Sequence, residues 1–270
     1  MAAGESDSTF DTANQPQEET SMARISISDF IPPIVPRLIK FTNRSINPTA
    51  RRHPFDQVPA NLDAKFILDV GANIGDVALA ALHTYPSSRV ICFEPVGATR
   101  AILERRLAPF GDRAVIYQEA LSNTNGSAEI NITSFHGANS ISAQSSMHST
   151  LNPHVKEIGK ETISLIRLDE LAKERNFPKV DILKIDVEGH EYEVLAGGSK
   201  FISANVDTII VEASLMRDSS WQRQSVIEVF SLLSEMGFRL INIFDLHHVE
   251  NFPLMCVQMD CVFRHESRLI

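Results

Sequence analysis

The stretch Asp69-Val-Gly-Ala-Asn-Ile-Gly75 decides the fold of this chain. It overlaps the short apolar run Phe66-Ile-Leu-Asp-Val70, which is typical of a buried strand. After it, residues 74–85 carry apolar side chains at the three- and four-residue spacing of an amphipathic helix. Glycines at a strand-to-helix junction let the backbone turn tightly, and ligands bind at such junctions in open α/β sheets. We therefore predict an α/β domain with a ligand site at this turn.

The alternation of strands and helices continues along the chain. Further strand-like runs lie at residues 89–93, 114–117, 180–185, 208–211, 238–244 and 256–263, with helical patterns at 99–110, 191–202 and 222–236. Strands separated by helices form a parallel sheet that is covered on both faces. Because no helix separates the last two strands, we expect them to form an antiparallel hairpin. Alternating residues at 127–133 and 162–168 predict an antiparallel insertion.

Composition limits the classes of protein to consider. The 270 residues are 43% hydrophobic and 22% charged, which is ordinary for a globular chain. The 25 basic and 34 acidic residues give a net charge of −9, which argues against nucleic-acid binding as the main activity. Three cysteines without a CxxC pair are typical of free thiols, so we predict a cytoplasmic protein. No apolar run reaches the ~18 residues of a membrane span.

The first 60 residues differ from the rest of the chain. Residues 1–22 are polar, acidic and free of Lys and Arg, which predicts a disordered tail that is not a signal peptide. Met22 is an alternative start site. Residues 23–60 include the proline-interrupted apolar stretch Ile31–Pro36. We expect them to pack on or cap the main domain, at residues 61–270, with a membrane-surface anchor as the alternative.

Dinucleotide binding is the first function to consider for the turn at Asp69–Gly75. The G-x-G-x-x-G pattern, started at Gly71, requires glycine where this chain has Asn73 and Asp76. Asp69 and Asp76 would also place negative charge near a pyrophosphate. An NAD-dependent oxidoreductase is therefore the less favoured alternative.

The same acidic residues suit a positively charged cofactor. Asp69 could face the amino-acid end of S-adenosylmethionine, and backbone N–H groups near Gly71 and Asn73 could face its carboxylate. Glu94 ends the second strand 23 residues after Gly71, where a carboxylate can accept hydrogen bonds from both hydroxyls of a ribose. Glu119, after the third strand, lies where an adenine edge is expected.

A second polar segment, Lys184-Ile-Asp-Val-Glu-Gly-His190, follows the fourth core strand. Asp186, Glu188 and His190 alternate, so we expect them to point to one side of an extended chain. In one interpretation Asp186 faces the cofactor, and Glu188 or His190 takes the proton from an acceptor hydroxyl. In another, Asp186, Glu188 and Glu212 hold Mg²⁺. A structural alternative is an acidic helix N-terminus.

Two other stretches are candidates for substrate contact. His136-Gly-Ala-Asn-Ser140, with Asn139 and Ser140, lies in the insertion, and Asp245-Leu-His-His248, with His247, follows the sixth strand. Both also fit solvated loops. The sole tryptophan, Trp221, is expected to pack rather than to bind substrate.

The two long motifs resemble the FkbM-type family of S-adenosylmethionine-dependent methyltransferases. The matching segments are Asp69–Gly75 with Phe93–Pro95, Leu183–Glu191 with Val194–Gly197, and, more weakly, Ala120–Ser122, Asn139–Ser140, Leu168–Asp169 and Val211–Glu212. The resemblance implies a Rossmann-like class I methyltransferase fold, with a mostly parallel seven-stranded sheet, helices on both faces and an antiparallel last strand. It also implies that Ala72, Gly75, Pro95 and Ala120 belong to the cofactor site.

The family resemblance further implies methylation of a hydroxyl on a small molecule or sugar. It leaves the acceptor, the metal requirement and the oligomeric state open. A chain that binds the cofactor without catalysis, and serves as an interaction module, is the alternative from a different class.

Overall fold

The computed structural model describes residues 54–59, 62–141, 155–215, 226–249 and 252–269. The tail predicted at 1–22, most of the extension predicted at 23–60, and Trp221 lie outside the described residues.

The strands and helices alternate through most of the described chain. The strands are β1 (Phe66–Val70), β2 (Arg89–Phe93), β3 (Ala114–Tyr117), β4 (Ala120–Leu121), β5 (Gly126–Thr133), β6 (Glu157–Ile166), β7 (Val180–Ile185), β8 (Val206–Ser214), β9 (Phe238–Val249) and β10 (Phe252–His265). The α-helices are α1 (Asp76–Thr84), α2 (Gly97–Leu107), α3 (Leu168–Glu174), α4 (Glu191–Gly197), α5 (Ser199–Asn205) and α6 (Val226–Glu235).

The main sheet has seven strands in the order β3-β2-β1-β7-β8-β10-β9. Strands β3, β2, β1, β7 and β8 pair in parallel, and β10 pairs antiparallel with both β8 and β9. The order reverses direction at β1, so the ends of β1, β2 and β7 meet at a switch point, where ligands bind in such sheets. The predicted fold class is confirmed, including the antiparallel last strand.

A separate three-stranded sheet forms the insertion. Its order is β4-β6-β5, and β5 and β6 pair antiparallel, as the alternating residues predict. We call residues 120–141 together with 155–166 the hairpin lobe. Ser140 lies in the lobe, and its hydroxyl donates to the carbonyl of Glu188 at 2.8 Å, which holds the lobe against the loop after β7.

The core consists of two apolar layers, one on each face of the main sheet. One layer is built around β1, β7 and β8 with helices α3 to α6. The other includes α1, α2 and the short 3₁₀ segment Pro54–Asp56, whose Phe55 is buried against Tyr85. No helix in the described ranges is long and apolar enough to cross a membrane.

Two local predictions are wrong. The helix predicted over 191–202 is two helices, because α4 ends at Gly197, where a Cβ would lie 1.9 Å from the carbonyl oxygen of Ser122, and α5 starts at Ser199. Residues Asp245–His248 are not a loop but part of β9, because β10 pairs with β9 to its end.

Candidate active site

The turn after β1 requires glycine at its first position. Gly71 has a φ of +76°, and a Cβ there would lie 1.9 Å from the carbonyl oxygen of Asp186. The N–H groups of Gly71 and Ala72 both donate to the carbonyl of Phe93, at 3.1 and 3.0 Å. The turn is therefore held between β2 and the loop after β7, as close packing at a ligand site requires.

Glu94 is the buried carboxylate at the end of β2. One of its oxygens accepts from the N–H of Asn73 and the other from the N–H of Val96, both at 2.9 Å. Burial raises the pKa of Glu94 to about 7, although the two N–H donors lower it. Because each carboxylate oxygen can accept two hydrogen bonds, Glu94 can still accept from a pair of ligand hydroxyls.

Lys184 is a buried cation between the turn after β1 and the loop after β7. We call this loop, residues 186–190, the acidic loop. The Lys184 ammonium lies 3.5 Å from an oxygen of Asp69, 3.2 Å from one of Asp186 and 3.2 Å from the carbonyl of Gly71. Burial disfavours the charged lysine, but the two carboxylates outweigh it and raise the pKa of Lys184. Burial also raises the pKa of Asp69, which is fully enclosed.

The loop after β7 does not extend the strand, so the predicted alternation is wrong. Strand β7 ends at Ile185, and Glu188 has a φ of +54° followed by Gly189 at +94°. The side chain of Glu191 fixes this bend by accepting from the N–H groups of Val187 and Gly189. Glu191 is the first residue of α4, and its side chain therefore holds the loop before the helix.

Despite the bend, the structure brings three carboxylates together. One oxygen each from Asp186, Glu188 and Glu212 lies within 4.8 Å of the others. Burial raises the pKa of Glu212 well above its ordinary value, and the neighbouring carboxylates, Asp186 first, raise it further. Such a cluster can accept a proton, or its oxygens can hold a divalent cation.

His190 lies at the start of α4 with both ring nitrogens near protein groups. Its Nε2 is 3.0 Å from the hydroxyl of Ser122, and its Nδ1 is 3.6 Å from a carboxylate oxygen of Glu193. Burial lowers the pKa of His190 to about 4. The imidazole is therefore neutral near pH 7 and a weak base.

These groups line a cavity of about 610 Å³ at the switch point of the sheet. Of the site residues predicted from sequence, those in its wall are Gly71, Ala72, Asn73, Glu94, Pro95, Ala120, Asn139, Asp186, Glu188, His190, Glu212 and His247. Most of the predicted site thus shares one cavity.

Four predicted residues lie outside the cavity wall. Asp69 is enclosed beneath Lys184, and a Cβ at Gly75 would press on the side chain of Leu103, so both support the turn from below. Ser140 ties the hairpin lobe to the acidic loop. Glu119 is half-buried beside Ala120, and its place at an adenine edge stays a prediction.

A second cavity, of about 440 Å³, adjoins the first. Both cavities are lined by Asp76, Val77, Lys184, Asp186, Glu212 and His247. Asp245 and Asp260 line only the second cavity. The two spaces therefore meet at the carboxylate cluster.

Two residues of the cavity wall were assigned no role from the sequence. Lys184 begins the second polar segment, but we predicted no function for it. A lysine inside the apolar strand Val180–Ile185 indicates a buried partner of opposite charge. The exposed ring of Phe135, which lines the larger cavity, had no signal because loop residues carry no periodicity.

Comparison with known proteins adds the family. A family model described as the methyltransferase FkbM domain matches residues 69–240. Methyltransferase sdnD of Sordaria araneosa is 28% identical over 205 residues, covering 66% of this chain and 76% of that protein. The 2-O-methyltransferase NoeI of Sinorhizobium fredii is 27% identical over 176 residues, covering 62% and 72%. Hexuronic acid methyltransferase AglP of Haloferax volcanii is 33% identical over 150 residues, covering 53% and 54%.

Among solved structures, methyltransferase FkbM from Methylobacillus flagellatus is similar, with a TM-score of 0.47 and 14% identity. The match covers 75% of this chain and 44% of that chain, so this chain spans less than half of that protein.

Proposed function

The chain belongs to the methyltransferase FkbM family, and we propose that it transfers a methyl group from S-adenosylmethionine to a hydroxyl of a small molecule or sugar. The observation that carries the proposal is the buried carboxylate of Glu94, which faces the same cavity as the glycine turn. The name of one relative, a 2-O-methyltransferase, supports methylation of an oxygen, and that of another, a hexuronic acid methyltransferase, supports a sugar-like acceptor.

The residues around the turn fit this cofactor. The missing Cβ at Gly71 lets the turn lie against the backbone of Asp186, and Glu94 can accept from both ribose hydroxyls. The carboxylates of Asp186 and Glu188 suit an ammonium or sulfonium charge. We propose that Asp69 acts indirectly, by holding Lys184 beneath the turn.

When bound, S-adenosylmethionine supplies a methyl group that is already activated by its sulfonium. The protein must hold the acceptor oxygen in line and exclude water, and such alignment can contribute about 7–11 kcal/mol. The walls formed by the turn, the acidic loop and the hairpin lobe perform this positioning.

A base for the acceptor proton comes from the acidic loop. Among the three candidates Asp186, Glu188 and His190, we propose Asp186, because it lines both cavities and its side chain is 39% exposed. His190 is less suited because its side chain is only 15% exposed and its Nε2 already lies 3.0 Å from the hydroxyl of Ser122. In the alternative with Mg²⁺, Asp186, Glu188 and Glu212 would hold the ion, which would lower the pKa of the acceptor hydroxyl.

Replacement of the base candidates separates their roles. We expect Asp186→Asn to reduce kcat by about 10²–10⁴-fold, the usual contribution of a positioned base. We expect His190→Gln to reduce kcat by less than about tenfold, because both ring nitrogens of His190 already lie near protein groups, Ser122 and Glu193. The measurement is transfer of a radiolabelled methyl group to a methyl hexopyranoside, with urea denaturation as the check on folding. A large loss in His190→Gln together with a small one in Asp186→Asn would return the base role to His190.

The raised pKa of Glu94 makes cofactor affinity depend on pH. Ribose hydroxyls donate to the ionised carboxylate, and with a pKa of about 7 its ionised fraction rises between pH 6 and pH 8. We expect the affinity for S-adenosylhomocysteine, measured by calorimetry, to rise about tenfold over that range. The stability of the protein without ligand depends on pH in the opposite direction. Because the pKa of Glu94 is higher in the folded than in the unfolded state, the free energy of unfolding falls as pH rises from about 4.5 to 7.

Glu94→Gln is the matched test of this pH dependence. The variant should bind more weakly at pH 8 and show a flat profile, since the amide does not titrate. The exposed Glu129→Gln should behave like wild type. A flat profile in wild type would contradict the role of Glu94 as the ribose ligand.

A thermal-shift titration with S-adenosylhomocysteine, S-adenosylmethionine and NAD tests the cofactor itself. A ligand at 100 times its Kd adds about 2.7 kcal/mol, which raises the Tm of a chain of this size by several degrees. Stabilisation by the adenosyl ligands alone is expected. Stabilisation by NAD instead would identify an oxidoreductase, and binding without turnover would identify a catalytically silent protein.

A further inference from the structure

We propose that Phe135 is the platform on which the ring of the methyl acceptor stacks, and that this acceptor carries no negative charge, unlike the hexuronic acid in the name of AglP. The inference rests on the proposed methyltransferase function and deepens it, because it names the shape and charge of the acceptor.

The ring of Phe135 is held in place although it is exposed. It is 54% exposed, lines the larger cavity and stacks against His136 with ring centroids 5.3 Å apart. A Cβ at Gly137 would lie 2.8 Å from this ring, so glycine leaves the space that the ring occupies. The hydroxyl of Thr133 donates to the carbonyl of Phe135 at 2.6 Å and fixes the turn from the other side.

The turn that carries Phe135 sits over the acidic loop. Asn139 accepts from the N–H of Thr133 at 2.8 Å, and Ser140 donates to the carbonyl of Glu188. The Cβ position of Gly137 is also 3.5 Å from the side-chain amide of Asn73. The platform is thus tied to the loop that holds the base candidates and lies beside Asn73 of the turn after β1.

An aromatic face and a carboxylate wall in one cavity suit a particular kind of molecule. The carboxylates of Asp186 and Glu212 can accept hydrogen bonds from hydroxyl groups at the edge of a ring. The face of Phe135 offers apolar contact to the C–H groups of the same ring. A hydroxylated, saturated ring has both kinds of surface.

The charged residues around the site favour an acceptor without negative charge. Lys184, the one lysine in the wall of either cavity as described, already lies between Asp69 and Asp186. Glu188 lines the larger cavity, and Asp245 and Asp260 line the smaller one. An acceptor carboxylate or phosphate would therefore enter a field of like charge, whereas a neutral or amino-bearing ring would not.

Saturation-transfer NMR on the protein loaded with S-adenosylhomocysteine tests the proposal directly. The probes are a methyl hexopyranoside, the corresponding methyl aminohexopyranoside and the corresponding methyl hexopyranosiduronate. We expect saturation of the first two and at least tenfold weaker binding of the uronate. Phe135→Ala should weaken binding of the neutral ring about tenfold without changing the Kd of S-adenosylhomocysteine, and Phe135→Trp should retain it.

Two controls make the outcomes separable. Ile158→Ala removes another exposed apolar side chain of the hairpin lobe, outside the cavity wall, and should change nothing. Glu188→Gln, which removes a carboxylate from the wall of the larger cavity, should improve binding of the uronate relative to the neutral ring. If S-adenosylhomocysteine does not bind, the proposed function itself fails. If it binds but no probe is saturated, the uronate binds equally well, or Phe135→Ala has no effect, the platform proposal alone is overturned.

Discussion

Replacement of Lys184 by methionine is expected to lower the free energy of unfolding by about 3–5 kcal/mol, the usual cost of removing one partner from a buried ion pair. The variant would leave Asp69 enclosed without a cation and remove the donor to the carbonyl of Gly71. Urea denaturation measures the loss. Because the same ammonium joins the turn to Asp186, the affinity for S-adenosylhomocysteine should fall as well.

A surface ion pair provides the matched control. Lys179 lies 2.7 Å from Asp207 but is 44% exposed, so Lys179→Met should cost about 0–1 kcal/mol. The double variant Lys184→Met with Asp69→Leu should recover part of the stability, since an apolar pair of similar volume can replace a buried ion pair. Equal costs at Lys184 and Lys179 would show that the buried pair adds nothing to the fold.

Gly71→Ala is expected to abolish measurable binding of S-adenosylhomocysteine. A Cβ at this position would lie 1.9 Å from the carbonyl oxygen of Asp186, and backbone cannot rotate away as a side chain can. The left-handed φ of +76° alone costs a non-glycine residue about 1–2 kcal/mol. The turn and the acidic loop must therefore separate, which moves Asn73 away from Glu94. Calorimetric titration and urea denaturation measure the two effects.

A substitution at Gly111 serves as the control. It distinguishes the free-energy cost of an unfavourable backbone conformation from that of the steric clash between residue 71 and Asp186. Gly111 has a φ of +53°, but nothing lies within 4 Å of its Cβ position. With a ψ of −133° this backbone conformation is unfavourable for any residue with a Cβ, so Gly111→Ala should cost about 1–3 kcal/mol and leave ligand affinity unchanged. A loss at Gly71 no greater than that at Gly111 would contradict the close approach of the turn to Asp186.

Local patterns in the sequence were sufficient to predict the parallel strands and the glycine turn after β1. Strands β1, β2, β3 and β7 have the predicted bounds, because short apolar runs between turn residues leave few alternatives. The bend at Glu188 was not predictable in this way, because it depends on hydrogen bonds from Val187 and Gly189 to the side chain of Glu191.

The role of Lys184 needed the register of distant strands. Lys184 pairs with Asp69 across β1 and β7, two strands that lie more than a hundred residues apart in the chain. No local window contains both residues. The hairpin lobe poses the same problem, since the contact between Ser140 and Glu188 follows from tertiary packing alone.

The position of β10 in the sheet has a consequence for synthesis of the protein. Strand β10 lies between β8 and β9, and in the described structure β9 pairs with no other strand. Strand β9 is synthesised before β10, the strand with which it pairs. Until β10 is made, the apolar residues of β9 and the outer edge of β8 are exposed. Such exposed edges invite aggregation during folding. A nascent chain arrested after β9 should therefore engage chaperones, and one arrested after β10 should release them.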